Sequence, residues 1–174
     1  MKIFLLGFMG AGKTYWGKQL AEHLSLPFYD LDDVIVESEA MSISDIFATK
    51  GEDYFRQQEN YWLKELSRND SFLISCGGGA PCFQDNMDIM NNSGTTIWLN
   101  PDLSLIVERL KRKKSKRPLI QDLDDDELLG FVEKKLAERV PFYEQAQLTI
   151  AESETINLNS FIQRLDGIKT VEGQ

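Results

Sequence analysis

Short apolar runs alternate with segments of helical pattern along the whole chain. Five of these runs predict β-strands: Ile3–Leu6, Pro27–Tyr29, Phe72–Ser75, Thr95–Leu99 and Leu148–Ala151. Between the runs, apolar side chains recur at helical spacing, as at Trp16, Leu20 and Leu24. Strands that alternate with helices favour a mostly parallel sheet covered by helices on both faces. The pattern therefore predicts an α/β fold, a three-layer sandwich around a five-stranded, mostly parallel sheet.

Local signals predict two further helices. Phe55, Trp62 and Leu66 fall on one face of a longer helix in the first half of the chain. Asn100-Pro101 is typical of an N-cap followed by the first helical residue, which predicts a helix running to about Arg112. Both helices are expected to cover the sheet.

The first apolar run leads directly into a glycine-rich phosphate-binding loop. The loop reads Gly7-Phe8-Met9-Gly10-Ala11-Gly12-Lys13-Thr14, and a helix is predicted to begin at its lysine. Bare backbone N–H groups and the positive end of that helix both attract a polyphosphate. Lys13 would reach the β- and γ-phosphates of ATP, and the Thr14 hydroxyl would be a ligand of Mg²⁺. The expected contacts to ATP are Gly10, Ala11, Gly12, Lys13 and Thr14.

Polar or glycine-rich segments also follow the second and third predicted strands. Asp30-Leu31-Asp32-Asp33 follows the second, and Cys76-Gly77-Gly78-Gly79 follows the third. In a parallel sheet both belong on the same edge as the phosphate loop, where ligands bind. Asp32 or Asp33 could cap a helix over Val34–Ala40, although three carboxylates exceed what a cap needs. Consecutive glycines either form a tight turn or offer N–H donors to a ligand.

A strongly basic run follows the predicted helix that ends near Arg112. Seven basic residues lie between Arg109 and Arg117, and an acidic stretch follows at 122–127. The functional interpretation is a lid at about 109–124 that closes over ATP, with Arg117 reaching the transferred phosphoryl group. A solvated helix end, favoured by the helix dipole, would explain the lysines equally simply. Arg109 and Arg112 are both candidates for covering adenine.

Composition narrows the class of protein. At 174 residues the chain is expected to form one domain, 1–174, and its net charge of −9 argues against nucleic-acid binding. No apolar run approaches the ~20 residues of a membrane span, and the N-terminal run reads as a strand rather than a signal peptide. We therefore expect a cytoplasmic protein with no membrane partner, and a monomer as the default. Cys76, Cys82 and His23 are too few for a tetrahedral zinc site, and no disulfide is expected.

The ordered motifs together resemble the shikimate kinase family over nearly the whole chain. The residues that carry the resemblance are the phosphate loop 7–14, Phe28-Tyr29-Asp30-Leu31-Asp32, Ile46-Phe47, Gly51-Glu52, Phe55-Arg56, Glu59, Gly77-Gly78-Gly79, Arg117-Pro118-Leu119, and Arg139 with Tyr143. The resemblance implies a P-loop kinase fold of the nucleoside-monophosphate-kinase type. It also implies the fifth step of aromatic amino-acid biosynthesis, ATP + shikimate → ADP + 3-phosphoshikimate.

The resemblance also assigns roles to individual residues. Asp32 would bind shikimate hydroxyls and act as the base, and Arg56 and Arg139 would hold the carboxylate. Gly78 and Gly79 would add backbone contacts, Asp30 and Thr14 would serve Mg²⁺, and Lys13 and Arg117 would meet the charge on the γ-phosphoryl group. An ordinary aspartate pKa near 4 would make Asp32 a weak base. A guanidinium pair suits a small carboxylate, and phosphoryl transfer needs mainly positioning and charge neutralisation.

Several alternatives stay open on the sequence alone. Arg56 and Arg139 could instead form surface ion pairs with glutamates of their own helices. A nucleoside-monophosphate or gluconate kinase would share the phosphate loop, although the Asp30–Asp33 cluster would repel a second phosphate. A nucleotide switch is a further possibility, but the Asn-Lys-x-Asp element of guanine-specific switches does not occur. The last alternative is a member of the family that still binds its substrates but has lost catalysis.

Overall fold

A five-stranded parallel sheet forms the centre of the molecule. The computed structural model describes residues 1–112, 114, 120–152, 158 and 161–165. Its strands are β1 (Lys2–Leu6), β2 (Phe28–Asp30), β3 (Phe72–Ser75), β4 (Thr95–Pro101) and β5 (Leu148–Glu152). They lie in the order β2-β3-β1-β4-β5, and every neighbouring pair is parallel. The predicted α/β sheet is therefore confirmed, and the arrangement of the described strands is wholly parallel.

Helices connect successive strands. They are α1 (Lys13–Leu24), α2 (Leu31–Glu39), α3 (Ile43–Lys50), α4 (Glu52–Leu66), α5 (Asn86–Ser93), α6 (Leu103–Arg112) and α7 (Asp125–Tyr143), with a short 3-10 helix at Ala80–Cys82. Residues 161–165 are also helical. None of the helices in the described part of the chain has the length and apolar character that a membrane span requires.

The central strand β1 shows why the sheet needs helices on both faces. Ile3 and Leu5 point to one face, where they pack with Leu20 of α1. Phe4 and Leu6 point to the other face, in the cluster that also contains side chains of α2, α4 and α5. All five side chains are completely buried. Alternate residues of a strand face opposite sides, so a strand apolar at every position must be covered twice.

A third apolar cluster attaches α6 and α7 to the loop that follows β1. Phe8 of the loop is buried with Leu110 of α6 and Leu128 of α7. These contacts hold two helices from the second half of the chain against the phosphate loop. Through them Arg109 and Arg139, which lie on α6 and α7, are carried to the carboxyl edge of the sheet.

The predicted helix start at Asn100-Pro101 is wrong. Both residues extend β4, where they pair with Ala151 and Glu152 of β5, and α6 begins only at Leu103. The pairing between β1 and β4 ends at Trp98, so the last residues of β4 pair with β5 alone among the described strands. A proline is tolerated where one side of a strand makes no ladder hydrogen bonds.

The predicted cap of the second helix is also wrong. The helix begins at Leu31 rather than Val34, and its N-cap is Asp30, whose Oδ1 accepts a hydrogen bond from the Asp32 backbone at 3.3 Å. Helix α3, which was not predicted, has a comparable cap, since the Ser42 hydroxyl accepts from the Asp45 backbone at 3.1 Å. Asp32 and Asp33 therefore lie inside the first turn of α2, where the helix dipole stabilises negatively charged carboxylates.

Candidate active site

The phosphate loop turns sharply between β1 and α1. Gly12 is the N-cap of α1 with φ +94°, a left-handed conformation that glycine adopts without strain. A side chain on Gly7 is excluded by contact, because its Cβ would lie 2.6 Å from the Leu99 carbonyl oxygen. The Ala11 N–H donates to the Phe8 carbonyl at 3.1 Å and closes the turn. The first N–H groups of α1 have no partners within the helix, so they are available to a ligand at the loop.

Lys13 folds back across this loop. Its ammonium group donates to the carbonyl oxygens of Gly7 at 2.8 Å and of Phe8 at 3.0 Å. These bonds fix a positive charge beside the amides of the α1 N-terminus. The arrangement is an anion-binding site built from backbone dipoles and one lysine.

Asp30 connects the phosphate loop to the next strand. Its Oδ2 accepts a hydrogen bond from the Thr14 hydroxyl at 2.9 Å, while its Oδ1 caps α2. Hydroxyl and carboxylate oxygens are suitable donors for Mg²⁺. The described residues contain no group of three or more His, Cys, Asp or Glu that could hold a metal ion by themselves. The pair therefore fits Mg²⁺ only in the manner typical of kinases, with most ligands coming from phosphates and water.

A cavity of about 480 Å³ lies against the loop. Its walls are Met9, Gly10, Gly12, Lys13, Thr14, Tyr15, Trp16, Asp30, Asp32, Ser75, Cys76, Gly77, Gly78, Arg109 and Arg112. Arg109 donates to the Gly10 carbonyl at 3.3 Å, so one of the two adenine candidates crosses the loop directly. The walls of this one cavity thus include the loop and residues of the aspartate and glycine segments that follow β2 and β3.

Each of the three consecutive glycines faces a charged side chain. A Cβ on Gly77 would lie 2.7 Å from Asp32 Oδ1 and 2.8 Å from Glu59 Oε1. A Cβ on Gly78 would lie 3.1 Å from an Arg139 guanidinium nitrogen.

Arg56 faces the third glycine, since a Cβ on Gly79 would lie 2.7 Å from its Nη1. The three glycines thus form one wall against which two carboxylates and two guanidinium groups lie. Any side chain in this wall would displace them.

Arg56 is held by its own helix. It pairs with Glu52 at 2.8 Å and with Glu59 at 2.6 Å, and the Phe83 ring centroid lies 4.3 Å from its Cζ. Burial lowers the pKa of Arg56, but the charges and hydrogen bonds of Glu59 and Glu52 together outweigh it and raise the pKa. Arg56 therefore does form ion pairs with glutamates of its own helix, as the alternative interpretation stated. Those pairs hold the guanidinium at the glycine wall rather than on the open surface.

Glu59 received no role of its own from the sequence. It is completely buried, and burial raises its pKa to about 7 against the attraction of Arg56. Its Oε1 has no hydrogen-bond partner among the described residues. The sequence pattern could have revealed this role, because Glu59 lies on the helix face that carries Phe55 and Leu66 and therefore occupies a core position. Buried carboxylates are rare unless they are paired or functional.

Asp32 differs from the expectation of an ordinary aspartate. Burial, and next the neighbouring charge of Asp30, raise its pKa to about 6, while Lys13 and Arg56 oppose the shift. The expectation of an ordinary aspartate pKa near 4 is therefore wrong. A carboxylate with a pKa closer to neutrality is a better proton acceptor.

Arg139 reaches the glycine wall from α7. Its Cζ lies 5.3 Å from the ring centroid of Phe8 in the phosphate loop. Glu138, a candidate partner on the same helix, forms its ion pair with Lys135, at 2.7 Å. Asp32, Arg56, Gly78, Gly79 and Arg139 are thus brought together from four segments.

The predicted lid is described only in part. Arg117 lies outside the described residues, as do residue 113 and the other residues of 115–119. On either side of them, Lys111 pairs with Asp125 at 2.8 Å and Lys114 donates to the Leu123 carbonyl. The roles of Arg117 and of the lid therefore stay predictions.

Comparison with known proteins decides which family the chain belongs to. A model of the shikimate kinase family matches residues 9–167. The chain is 42% identical over 168 residues to the shikimate kinase of Bacteroides thetaiotaomicron, with 95% of this chain and 96% of the relative covered. It is 47% identical over 146 residues to the shikimate kinase of Bacteroides fragilis, with 84% and 82% covered. The chain belongs to the shikimate kinase family.

Solved shikimate kinases share its fold. The enzyme of B. thetaiotaomicron superposes with a TM-score of 0.90 at 41% identity, over 98% of both chains. A shikimate kinase from Acinetobacter baumannii, solved in complex with shikimate, superposes with a TM-score of 0.83 at 32% identity, over 98% of this chain and 93% of that one. The predicted P-loop kinase fold is confirmed. As a member of the shikimate kinase family the protein is an ATP-dependent phosphotransferase, so neither a nucleotide switch nor a kinase of another family is supported.

Proposed function

We propose that this protein transfers the γ-phosphoryl group of ATP to the 3-hydroxyl of shikimate and thereby acts in chorismate biosynthesis. One observation carries the proposal beyond family membership. Two guanidinium groups and a carboxylate face three consecutive glycines beside the phosphate loop. Shikimate carries one carboxylate and several hydroxyls, and this wall offers complementary groups for both.

The acceptor contacts follow from charge. Arg56 and Arg139 bind the shikimate carboxylate, because planar guanidinium groups match a carboxylate with paired hydrogen bonds. Asp32 accepts hydrogen bonds from the ring hydroxyls, and Gly78 and Gly79 contribute backbone groups. Glu52 and Glu59 already hold Arg56 in place, so its side chain loses little conformational freedom when the substrate binds.

Catalysis depends on alignment and on charge. Asp32 holds the 3-hydroxyl in line with the γ-phosphoryl group and takes its proton, which its raised pKa favours. The γ-phosphoryl leaves ADP as its bond to the 3-oxygen forms. Lys13 and Arg117 meet the negative charge that develops on the equatorial oxygens. For Arg117 this role rests on the family resemblance and on its position within the lid at about 109–124.

Mg²⁺ would be held by Thr14, with Asp30 as the partner that fixes the threonine hydroxyl. When bound, it neutralises charge on the β- and γ-phosphates. Asp30 itself stays in place because the α2 N-terminus hydrogen-bonds to its other carboxylate oxygen.

We further propose a monomer that works in the cytoplasm as a single domain, without nucleic-acid or membrane partners. The net charge of −9 would repel nucleic acid and anionic lipid. Cys76 and Cys82 are free thiols, which fits a reducing compartment. Light scattering during gel filtration tests the oligomeric state directly.

An acceptor screen tests the function. ADP release is coupled to a reporter reaction in the presence of Mg-ATP, and shikimate is compared with gluconate, AMP and CMP. We expect turnover with shikimate alone, and a product whose phosphorus couples in NMR to the proton on carbon 3. Turnover with another acceptor, or phosphate on another hydroxyl, would overturn the assignment while leaving the ATP site intact.

A further inference from the structure

Tyr143 makes a hydrogen bond that the proposed chemistry does not yet use. It lies at the C-terminal end of α7, is completely buried, and its hydroxyl donates to the Gly78 carbonyl oxygen at 2.5 Å. Its ring packs on Trp98 of β4 with centroids 5.7 Å apart. The family resemblance assigned Tyr143 no role, and its neighbour Phe142 is 36% exposed. Packing therefore explains the ring of Tyr143 but not the partner of its hydroxyl.

The bonded carbonyl belongs to the peptide unit that joins Gly78 to Gly79. In a planar trans peptide the C=O and the following N–H point in opposite directions. A bond that fixes the Gly78 oxygen therefore also fixes the direction of the Gly79 N–H. Glycine peptides are otherwise the easiest to rotate, so a fixed donor at this point requires an anchor.

The glycine amides are available to a ligand. Within the described ranges, neither the Gly78 N–H nor the Gly79 N–H donates to a protein acceptor. The surrounding amides are used, since the Ala80 N–H donates to the Gly77 carbonyl at 3.0 Å and the Cys82 N–H to the Gly79 carbonyl at 2.9 Å. Gly79 is buried. Buried N–H groups are rarely left without an acceptor, which favours one supplied by substrate.

Arg139 lies one helical turn before Tyr143 on the same face of α7. Its guanidinium lies against Gly78 on the glycine wall. Burial raises the pKa of Tyr143, although the Arg139 charge opposes the shift, so the phenol keeps its proton across the working pH range. One turn of α7 thus contacts Gly78 twice, through a guanidinium and through a hydroxyl donor.

We propose that Tyr143 is a positioning residue for the acceptor: its hydroxyl orients the Gly78–Gly79 peptide so that the Gly79 N–H and Arg139 meet the same shikimate molecule. The inference rests on the proposed function, because it takes shikimate as the ligand of the glycine wall. Tyr143 itself does not touch substrate.

The test removes the hydroxyl and keeps the ring. In Tyr143→Phe we expect the KM for shikimate to rise about tenfold, the usual effect of losing one buried hydrogen bond. The kcat and the KM for ATP should stay within about twofold of wild type, since the lost contact acts equally on bound substrate and transition state. Tyr54→Phe is the matched control. It removes a hydroxyl that donates to Glu39 at 2.7 Å, away from the glycine wall, and should leave the shikimate KM unchanged.

The outcomes separate the inference from the function on which it rests. Wild-type protein that does not phosphorylate shikimate overturns the proposed function. Wild-type turnover with an unchanged shikimate KM in Tyr143→Phe, or with equal rises in both KM values, overturns the inference alone. A second measurement needs no variant. In the NMR spectrum of the wild-type protein, the Gly79 amide should shift and exchange more slowly when shikimate is added, with the Gly130 amide as reference. An unaffected Gly79 amide would also overturn the inference.

Discussion

The phosphate loop and the glycine wall meet in one cleft but are built differently. The loop takes its shape from eight consecutive residues, 7–14, and presents mainly backbone amides with one lysine. The wall gathers charged side chains from α2, α4 and α7 against three glycines that follow β3. The loop is therefore specified locally, whereas the wall exists only after most of the domain has folded.

The two regions also differ in how they carry charge. The loop uses peptide dipoles and a lysine held by carbonyl oxygens. The wall contains Asp32 and Glu59, whose pKa values are raised to about 6 and about 7. We expect loop variants to change turnover and spare acceptor binding, and wall variants to change kcat/KM for the acceptor and its pH dependence.

The strongest test of this separation is Lys13→Met. Removing the ammonium should lower kcat by about 10³-fold, because the charge developing on the γ-phosphoryl loses the lysine that we propose to meet it. Shikimate affinity, measured by calorimetry without nucleotide, should stay near wild type. Lys18→Met is a matched control on the same helix, because Lys18 is exposed and its ammonium lies over the Phe28 ring at 5.9 Å, outside the loop. Near-normal turnover of Lys13→Met would contradict the proposed phosphate site.

Gly77→Ala is the converse test on the wall. The new methyl group would lie within 3 Å of both Asp32 and Glu59, so the two carboxylates must move. We expect kcat/KM for shikimate to fall about 10²-fold, which is the typical cost of misplacing a reacting group by about 1 Å. ATP affinity should change little.

Gly130→Ala supplies the control for that substitution. Gly130 lies within α7, and its added methyl would contact nothing within 4 Å. Alanine in place of a helical glycine should stabilise the protein by about 0.5–1 kcal/mol and leave both substrates unaffected. Equal losses in the two variants, or a Gly77→Ala enzyme that binds shikimate normally, would remove the basis for the glycine wall.

The same division decides how much the sequence could predict. The phosphate loop, with Lys13 and Thr14, was predicted correctly in position because its requirements are local: a strand, glycines and a helix start. The strand order of a parallel sheet then brings the segments after β2 and β3 to the loop. Local signals failed where two elements compete for the same residues. Asn100-Pro101 resembles a helix start, but pairing with β5 draws it into the sheet.

The chemistry of the wall could not be obtained in this way. The pKa of Asp32 depends on burial and on Asp30, and the role of Glu59 depends on its partner and on what covers it. Neither is encoded in spacing along the chain. The family resemblance supplied Arg56 and Arg139 as candidates, but only the fold relates them to Gly79 and Gly78.

The raised pKa of Asp32 predicts an acidic limb in the pH profile. Above about pH 8 Asp32 is ionised and can accept the proton, so kcat/KM for shikimate should be constant. As the pH falls through about 6–7, protonation removes the base and the rate should decline toward tenfold per pH unit. The apparent pKa belongs to Asp32 and Glu59 together, because the two carboxylates interact.

Two variants check this assignment. Asp32→Asn should abolish most of the activity together with the limb. Asp33→Asn should keep the limb and shift it slightly toward lower pH, because the Asp33 charge contributes the smallest of the effects that raise the Asp32 pKa. A wild-type rate that stays flat down to pH 5 would show that proton acceptance by Asp32 does not limit the reaction.

The smallest expected effect concerns the ring that covers Arg56. Phe83 follows the short 3-10 helix, and its ring centroid lies 4.3 Å from the guanidinium carbon while 36% of the residue is exposed. Cation–π contacts at exposed sites contribute about 0.5–1 kcal/mol, so Phe83→Leu should raise the shikimate KM only about two- to fivefold. Phe142→Leu is an unusually close control, because Phe142 is also 36% exposed and no ring contact joins it to Arg56 among the described residues. If the two variants have the same shikimate KM, the Phe83 ring is not needed to hold Arg56, whose guanidinium also lies 5.4 Å from the Phe55 ring centroid. If only Phe83→Leu weakens binding, and the KM for ATP is unchanged, the aromatic cover belongs to the acceptor side of the cleft.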